Sequence, residues 1–389
     1  MGMGNGDSMA SEISARIEAA VTDLPSRMGR SGALPSPDRR QFLQAALGAA
    51  ALGAAAVAAA AVSPLARATA SDGAAPGSER FRIDIHHHIA PPAYVAEMKS
   101  MLFGPTLGWS PQRSIEDMDK AGVATAITSI TTPGVWLGDD QQGRRVARAC
   151  NEYGARMMGD FPGRFGLFAA IPLPDLDGSM KEIEYGLDTL KADGIAVFTS
   201  YRDRWLGDPA FEPVMQELNR RRAVVYVHPD APVCCRNLLR DLFNNSVIEY
   251  TADTTRAIAN LLFRGVINRH RDIRWVFSHG GGTVPYVVER LTRIPETYRE
   301  LAATVPNGVM AELQRFYYDT AQASHPAALA ALTRIIPMSQ ILWGTDFPFR
   351  HGEEYVKQHL EYGFSGPDLR RIGRDNALAL LPHWRDAKA

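Results

Sequence analysis

The sequence predicts an α/β fold, a (β/α)8 TIM barrel, and three observations predict it. From Phe81 onward, eight short β-rich apolar runs alternate with amphipathic, helix-like stretches. The runs are nearly all apolar, which means both faces of each strand are covered, as in a parallel sheet clad with helices. Five segments end in a residue that binds metal or moves protons: Ile83–His88, Val225–His228, Val276–His279, Tyr317–Asp319 and Leu342–Asp346. Polar residues at the C-terminal ends of many strands mark the rim where a (β/α)8 barrel builds its active site. An open doubly wound sheet would put its site mainly at one switch point.

The predicted strands, in order, are Phe81–His86, Val123–Ile130, Phe165–Ile171, Gly194–Thr199, Ala223–His228, Ile273–His279, Phe316–Thr320 and Gln340–Asp346. Between them lie the amphipathic segments Ser114–Ala121, Gln142–Met158, Met180–Lys191, Phe211–Arg221, Thr254–Arg269 and Pro285–Ile294. Pro367–Leu381 reads as helices that close the barrel. No internal repeat is evident.

Residues 1–70 are expected to lie outside this fold, leaving the barrel to 71–389. A stretch rich in Gly, Ser and Pro leads into Asp38-Arg39-Arg40-Gln41-Phe42-Leu43, then an alanine-rich apolar run from Ala45 to Val62, then Ala66-Arg67-Ala68-Thr69-Ala70. Charged region, apolar region and small-x-small site in that order read as an export signal. The paired arginines resemble a twin-arginine signal, with Asp38 in place of the usual Ser or Thr and Gln44 in place of Lys. The expectation is export through the twin-arginine machinery to the periplasm or beyond, with an uncleaved membrane anchor as the alternative. If the signal is not used, the protein stays in the cytoplasm.

The 389-residue chain has a formal net charge of −1, which gives nucleic acid or an anionic membrane nothing to bind. Three cysteines, Cys150, Cys234 and Cys235, make no disulfide framework. The adjacent pair follows His228-Pro229 closely and reads as pocket lining.

His86 and His88 alternate along one strand and point to the same face, the barrel interior. His87 then points outward and reads as structural. His228 ends the fifth strand and Asp346 the eighth. Three imidazoles and a carboxylate suit Zn(II), with Mn(II) or Fe(II) possible. His279 ends the sixth strand before Gly280-Gly281-Gly282 and is read as an acid/base beside the metal. A capping His in a Gly-rich turn is the alternative.

These residues resemble the amidohydrolase superfamily, in its aminocarboxymuconate-semialdehyde decarboxylase-like branch. The resemblance is carried by Asp84-Ile85-His86-His87-His88, His228-Pro229, Ser278-His279-Gly280-Gly281-Gly282 and Gly344-Thr345-Asp346-Phe347-Pro348-Phe349, and it spans Phe81 to about His383. It implies one divalent metal on His86, His88, His228 and Asp346, and assistance to catalysis by His279. It also implies an arginine that reaches into the partner subunit's site, which falls on Arg290 and makes the protein a homodimer. The fourth strand ends in Phe198-Thr199-Ser200, so the carboxylated lysine of binuclear relatives has no candidate. Some decarboxylases of the branch carry Glu at the position of His86. The segments Thr131–Trp136 and Leu190–Asp208 are closer to 6-methylsalicylate decarboxylase-like proteins.

The function implied is metal-dependent, non-oxidative decarboxylation of a small aromatic acid of the ortho-hydroxybenzoate or 6-methylsalicylate type, a carboxy-lyase reaction. Asp346 or His279 would move the proton, Arg290 would hold the acid group, and Trp136 would stack on the ring. Ordinary packing is the alternative for Trp136, and a solvated charge is the default for Arg202, Arg204 and Arg236. Asp319 is expected to be structural or to support a ligand. The rival reading is a hydrolase of a lactone or amide on the same barrel. A non-catalytic metal or ligand binder is the third reading, and it predicts a missing ligand or base.

Overall fold

The computed structural model describes residues 80–386, and the export-signal region lies outside them. Eight parallel strands form one sheet in chain order. They are β1 (Arg82–Ile89), β2 (Val123–Ile130), β3 (Phe165–Ala170), β4 (Gly194–Phe198), β5 (Val224–His228), β6 (Arg274–Phe277), β7 (Tyr317–Asp319) and β8 (Ile341–Leu342). The chain closes this sheet into a barrel through backbone bonds between β1 and the segment that follows β8. Ile85 N donates to Trp343 O at 3.0 Å, His88 N to Phe347 O at 2.8 Å and Asp346 N to His86 O at 2.8 Å. β1 therefore runs three residues past its predicted end at His86, because its last residues pair with the chain beyond β8.

The principal helices clad the outside: α1 (Pro111–Lys120), α2 (Asp140–Asp160), α3 (Leu176–Glu184), α4 (Glu212–Arg220), α5 (Glu249–Phe263), α6 (Val284–Thr297), α7 (Pro326–Ile335) and α8 (Gly352–Tyr362). Several start where the sequence supplies a cap. Ser110, Asp139 and Asp175 each accept a backbone N–H of the first turn of α1, α2 and α3, satisfying a donor that the helix itself leaves unpaired. No helix among the described residues is long and apolar enough to cross a membrane.

Two apolar layers follow from this arrangement. Ile83, Ile85, Ile127, Phe168, Val224, Tyr226, Val276 and Leu342 fill the barrel interior, and Leu378, Leu381 and Trp384 of the C-terminal helices pack onto the same cluster. A larger layer lies between strands and helices. Each fully buried Ile, Leu or Phe contributes roughly 1.5–3 kcal/mol.

The β1 strand carries a local irregularity that matters for the site. Its register against β2 shifts between Asp84 and His87. Ile83 and Ile85 join the interior cluster below the shift. Above it His86 and His88 also face inward, while Asp84 and His87 hydrogen-bond each other on the outer side. A bulge re-aims side chains in this way. A second feature, a short hairpin pairing Ser200–Tyr201 with Arg204–Trp205, follows β4 and was not foreseen. The buried Asp253 carboxylate of α5 anchors it, accepting from Ser200 Oγ at 2.9 Å and Trp205 Nε1 at 2.7 Å.

Candidate metal centre

His86, His88, His228 and Asp346 meet at the C-terminal rim, each offering one ligand atom, with all four atoms within 4.8 Å of one another. All four side chains are buried. His86 Nε2 lies 3.1 Å from His88 Nε2 and 3.2 Å from Asp346 Oδ1, and His88 Nε2 lies 3.0 Å from the same oxygen.

The outer nitrogens fix what the inner atoms carry. Asp319 Oδ2 lies 3.0 Å from His86 Nδ1 and also accepts from Tyr226 Oη at 3.3 Å. The Nδ1 atom must therefore hold the proton, leaving a lone pair on Nε2. His228 Nδ1 faces its neighbour's carbonyl, Pro229 O, at 2.8 Å, with the same consequence. Lone pairs of His86, His228 and Asp346 thus converge, and Asp346 Oδ1 has no hydrogen-bond partner among the described residues. Acceptor atoms this close repel unless a cation sits among them, so the donor set fits a divalent ion. Carboxylate-backed histidine is a recurrent metal ligand, because the carboxylate orients the ring and raises its basicity. Asp319 takes that supporting role here, and its Oδ1 also accepts the backbone N–H groups of His279 and Ala321, each at 3.0 Å.

The charges agree with this reading. Burial would raise the Asp346 carboxyl, but the surrounding His86, His279 and His88 hold it well below the usual range, so it is ionised. Burial lowers His88, and burial with three neighbouring imidazoles lowers His228 far below its ordinary value, so both are neutral. Burial also opposes a charge on His86. There the Asp319 and Asp346 carboxylates win, and the pKa rises to about 10. Without an ion, a proton on His86 balances the carboxylates; an ion replaces it.

His279 Nε2 lies 3.4 Å from Asp346 Oδ2, and its Nδ1 is buried without a partner among the described residues. His279 and Asp346 adopt left-handed backbone, with φ of 54° and 61°. Non-glycine residues held there store strain of the order of 1–3 kcal/mol, and such residues cluster at functional sites. Gly282 follows with φ of 67°, and a Cβ there would clash with Thr251 O, so only glycine fits.

His87 points away from this cluster, as alternation predicts. Its ring stacks on Phe347 with centroids 4.7 Å apart and bonds Ser114 Oγ of α1 at 2.9 Å. Asp84 has a role the sequence did not reveal. Its Oδ1 accepts from Thr345 N at 3.1 Å and from His86 N at 3.0 Å, and its Oδ2 accepts from Thr345 Oγ1 at 2.6 Å, so it clasps β1 to the chain after β8.

A cavity of about 270 Å³ opens onto the cluster, with Asp346, His228, Thr132, Tyr250, Phe103 and Phe349 on its wall. Gln322 and Arg350 also line it, and neither stood out in the sequence. Arg350 is exposed and makes no ion pair among the described residues. An adjoining chamber of about 680 Å³ shares Phe103, Thr132, His228 and Tyr250 with the first. Trp136 lines this outer chamber rather than the inner cavity, its ring covered by the Arg202 guanidinium at 4.6 Å and its Nε1 bonded to Asp140 at 2.7 Å. Arg236 also lines the chamber and pairs with Asp230 at 2.9 Å. Cys234 is exposed and Cys235 half-buried, between the lining residues Val233 and Arg236. Arg290 is exposed on α6 and lines neither space in its own subunit.

Residues 83–383 match the family model for amidohydrolases, and the chain belongs to that family. It is 36% identical over 317 residues to 6-methylsalicylic acid decarboxylase of Penicillium expansum, covering 78% of this chain and 97% of the relative. It is 25% identical to 2-amino-3-carboxymuconate-6-semialdehyde decarboxylase of Dictyostelium discoideum, over 70% of this chain and 77% of the relative. Among solved structures, the dihydroxybenzoic acid decarboxylase of Polaromonas sp. JS666, with bound manganese and the inhibitor 2-nitroresorcinol, superposes with a TM-score of 0.66 at 20% identity, covering 79% of this chain and 98% of that one.

Proposed function

We propose that this protein is a metal-dependent, non-oxidative decarboxylase of small aromatic acids, and that an ortho-hydroxybenzoate of the 6-methylsalicylate kind is its substrate. The observation that carries the reading is the three-histidine, one-carboxylate cluster at the head of a cavity sized for a single ring. The relatives at this similarity are decarboxylases, which favours carbon dioxide release over hydrolysis of a lactone or amide.

When bound, the ion supplies positive charge that offsets the substrate's acid group and its neighbouring oxygen. Zn(II) suits the three imidazoles, and Mn(II) is the alternative that the manganese-bound relative supports. The chain's own residues do the rest. Asp346 stands on the cavity wall and His279 touches its Oδ2, so we assign the resting proton to His279 Nε2 and its relay to the ring carbon to Asp346, which is ionised until it takes that proton. Phe103, Phe349 and Tyr250 flank the ring and exclude water. Recognition of the acid group falls on a guanidinium, either Arg290 from a partner subunit of a homodimer or Arg350 within the same chain. Mixing Arg290→Ala with His228→Ala protein separates the two: shared sites would recover about a quarter of the wild-type rate, and Arg350→Ala would carry the loss if the site is self-contained. We further propose export by the Arg39-Arg40 signal, tested by following Arg39→Lys/Arg40→Lys protein into the periplasmic fraction.

The test of the activity is His228→Ala, assayed for bound metal and for carbon dioxide released from ortho-hydroxybenzoates. Loss of both is expected. Retention of both would remove His228 from the site and the reading with it.

A further inference from the structure

Three non-glycine residues with left-handed backbone converge on one carboxylate. His279 and Asp346 are two of them, and Gln322, with φ of 49°, is the third. Seven described non-glycine residues have positive φ, and the other four (Lys191, Arg202, Arg222 and Asn237) lie on other loops. Gln322 sits three residues beyond Asp319, on the loop after β7. Its side chain is open to the cavity, yet its amide nitrogen reaches Asp346 Oδ2. It is the amide nitrogen, a donor, that faces the Asp346 carboxylate oxygen. The backbone N–H of Gln322 is held in turn by Tyr355 Oη of α8 at 3.0 Å, and Tyr355 is buried.

We propose that Gln322 is a positioning residue for the metal centre, acting through Asp346. A carboxylate can offer either oxygen, both, or neither to an ion. Here the Gln322 amide and His279 Nε2 take Oδ2, and Oδ1 is left facing His86 and His88. The two donors therefore occupy Oδ2 and leave Oδ1 as the single ligand oxygen. The strained backbone of Gln322 is the means: an extended residue at this position would carry the amide away from Asp346, and the Tyr355 hydroxyl stabilises the left-handed state. Asp319, the last residue of β7, supports His86, so the end of β7 and the loop that follows it orient two of the four ligands.

The inference rests on the metal-centre reading and is independent of which reaction the centre performs. Its test is metal affinity, measured by competition with a chromophoric chelator for Zn(II) and for Mn(II), on wild type, Gln322→Met and Tyr355→Phe. Methionine keeps the volume and removes the donor. Partners that orient a ligand typically contribute 10–100-fold to metal affinity or activity. Gln322→Met should therefore bind metal about 10-fold more weakly, with kcat lowered and KM for the aromatic acid little changed. Tyr355→Phe should move both in the same direction by less. Wild-type metal affinity in Gln322→Met would overturn the proposal, as would a change confined to KM, which a residue that merely lines the cavity would give. Should Gln322→Met fail to fold, Tyr355→Phe decides, since unchanged metal affinity there removes the anchor from the account. If no carbon dioxide is ever released, the affinity comparison still stands, because it uses no substrate.

Discussion

At the scale of single residues, the site is a set of acceptors forced together and then paired outward. His279 and Asp84 illustrate two different duties. Replacing His279 by Asn removes a proton carrier without removing a ligand, so metal should remain bound while turnover falls about 10²–10⁴-fold, the usual weight of acid–base catalysis. Metal analysis and rate on the same preparation check this. Replacing Asp84 by Ala strands the buried donors Thr345 N, Thr345 Oγ1 and His86 N at about 1–3 kcal/mol each. Denaturant unfolding should show a loss of about 3 kcal/mol or more, and a loss below about 1 kcal/mol would deny the clasp. The ligands were legible in the sequence because each ends an apolar run. Asp84 stood in the same motif, but alternation puts it on the face of His86, and the bulge that moves it to the other face leaves no mark in the residue types. Gln322 and Arg350 were hidden for another reason: they sit on loops, where no periodicity announces which side chain turns inward.

At the scale of elements, the barrel's loops hold strain that its strands and helices must contain. The turn after β6 admits only glycine at Gly282. Gly282→Ala should cost about 2 kcal/mol or more, combining left-handed strain with the clash at Thr251 O, and should displace His279, so that melting temperature and kcat fall together. On α8, His359 is buried beside Ser324 Oγ at 3.1 Å. Burial first, and Arg82 second, push its pKa from 6.5 down to about 4. Between those values the unfolded chain binds a proton that the folded one refuses, so folding stability is full above pH 6.5 and drains as pH falls toward 4. The wild type should lose about 2 kcal/mol more than His359→Gln between pH 7.5 and pH 5 in urea unfolding. Equal losses would contradict the burial argument. Seven of the eight strands were readable to within three residues at either end, since short apolar runs bounded by turn residues have few other solutions; β8 stops four residues short of its predicted end at Asp346, because the chain beyond Leu342 bonds to β1 outside a regular ladder. The hairpin Ser200–Trp205 was not, because two-residue strands carry no pattern; Asp253, far along the chain, holds them.

At the scale of the whole molecule, the closed barrel is what brings residues at or just beyond the ends of β1, β5, β6, β7 and β8 to one rim. An ion bound there stabilises the native state by mass action, by about 2.7 kcal/mol at a hundred times its dissociation constant. Chelation should lower the melting temperature, and the drop should vanish in His228→Ala. The central claim joins that ion to chemistry, and one measurement reaches it most directly: carbon dioxide release from 6-methylsalicylate and related ortho-hydroxybenzoates by chelated protein, titrated with Zn(II) or Mn(II). The account predicts no release from the metal-free protein and recovery that saturates at one ion per chain. Release that persists without metal, or a titrated protein that opens lactones or cleaves amides while freeing no carbon dioxide, would contradict it.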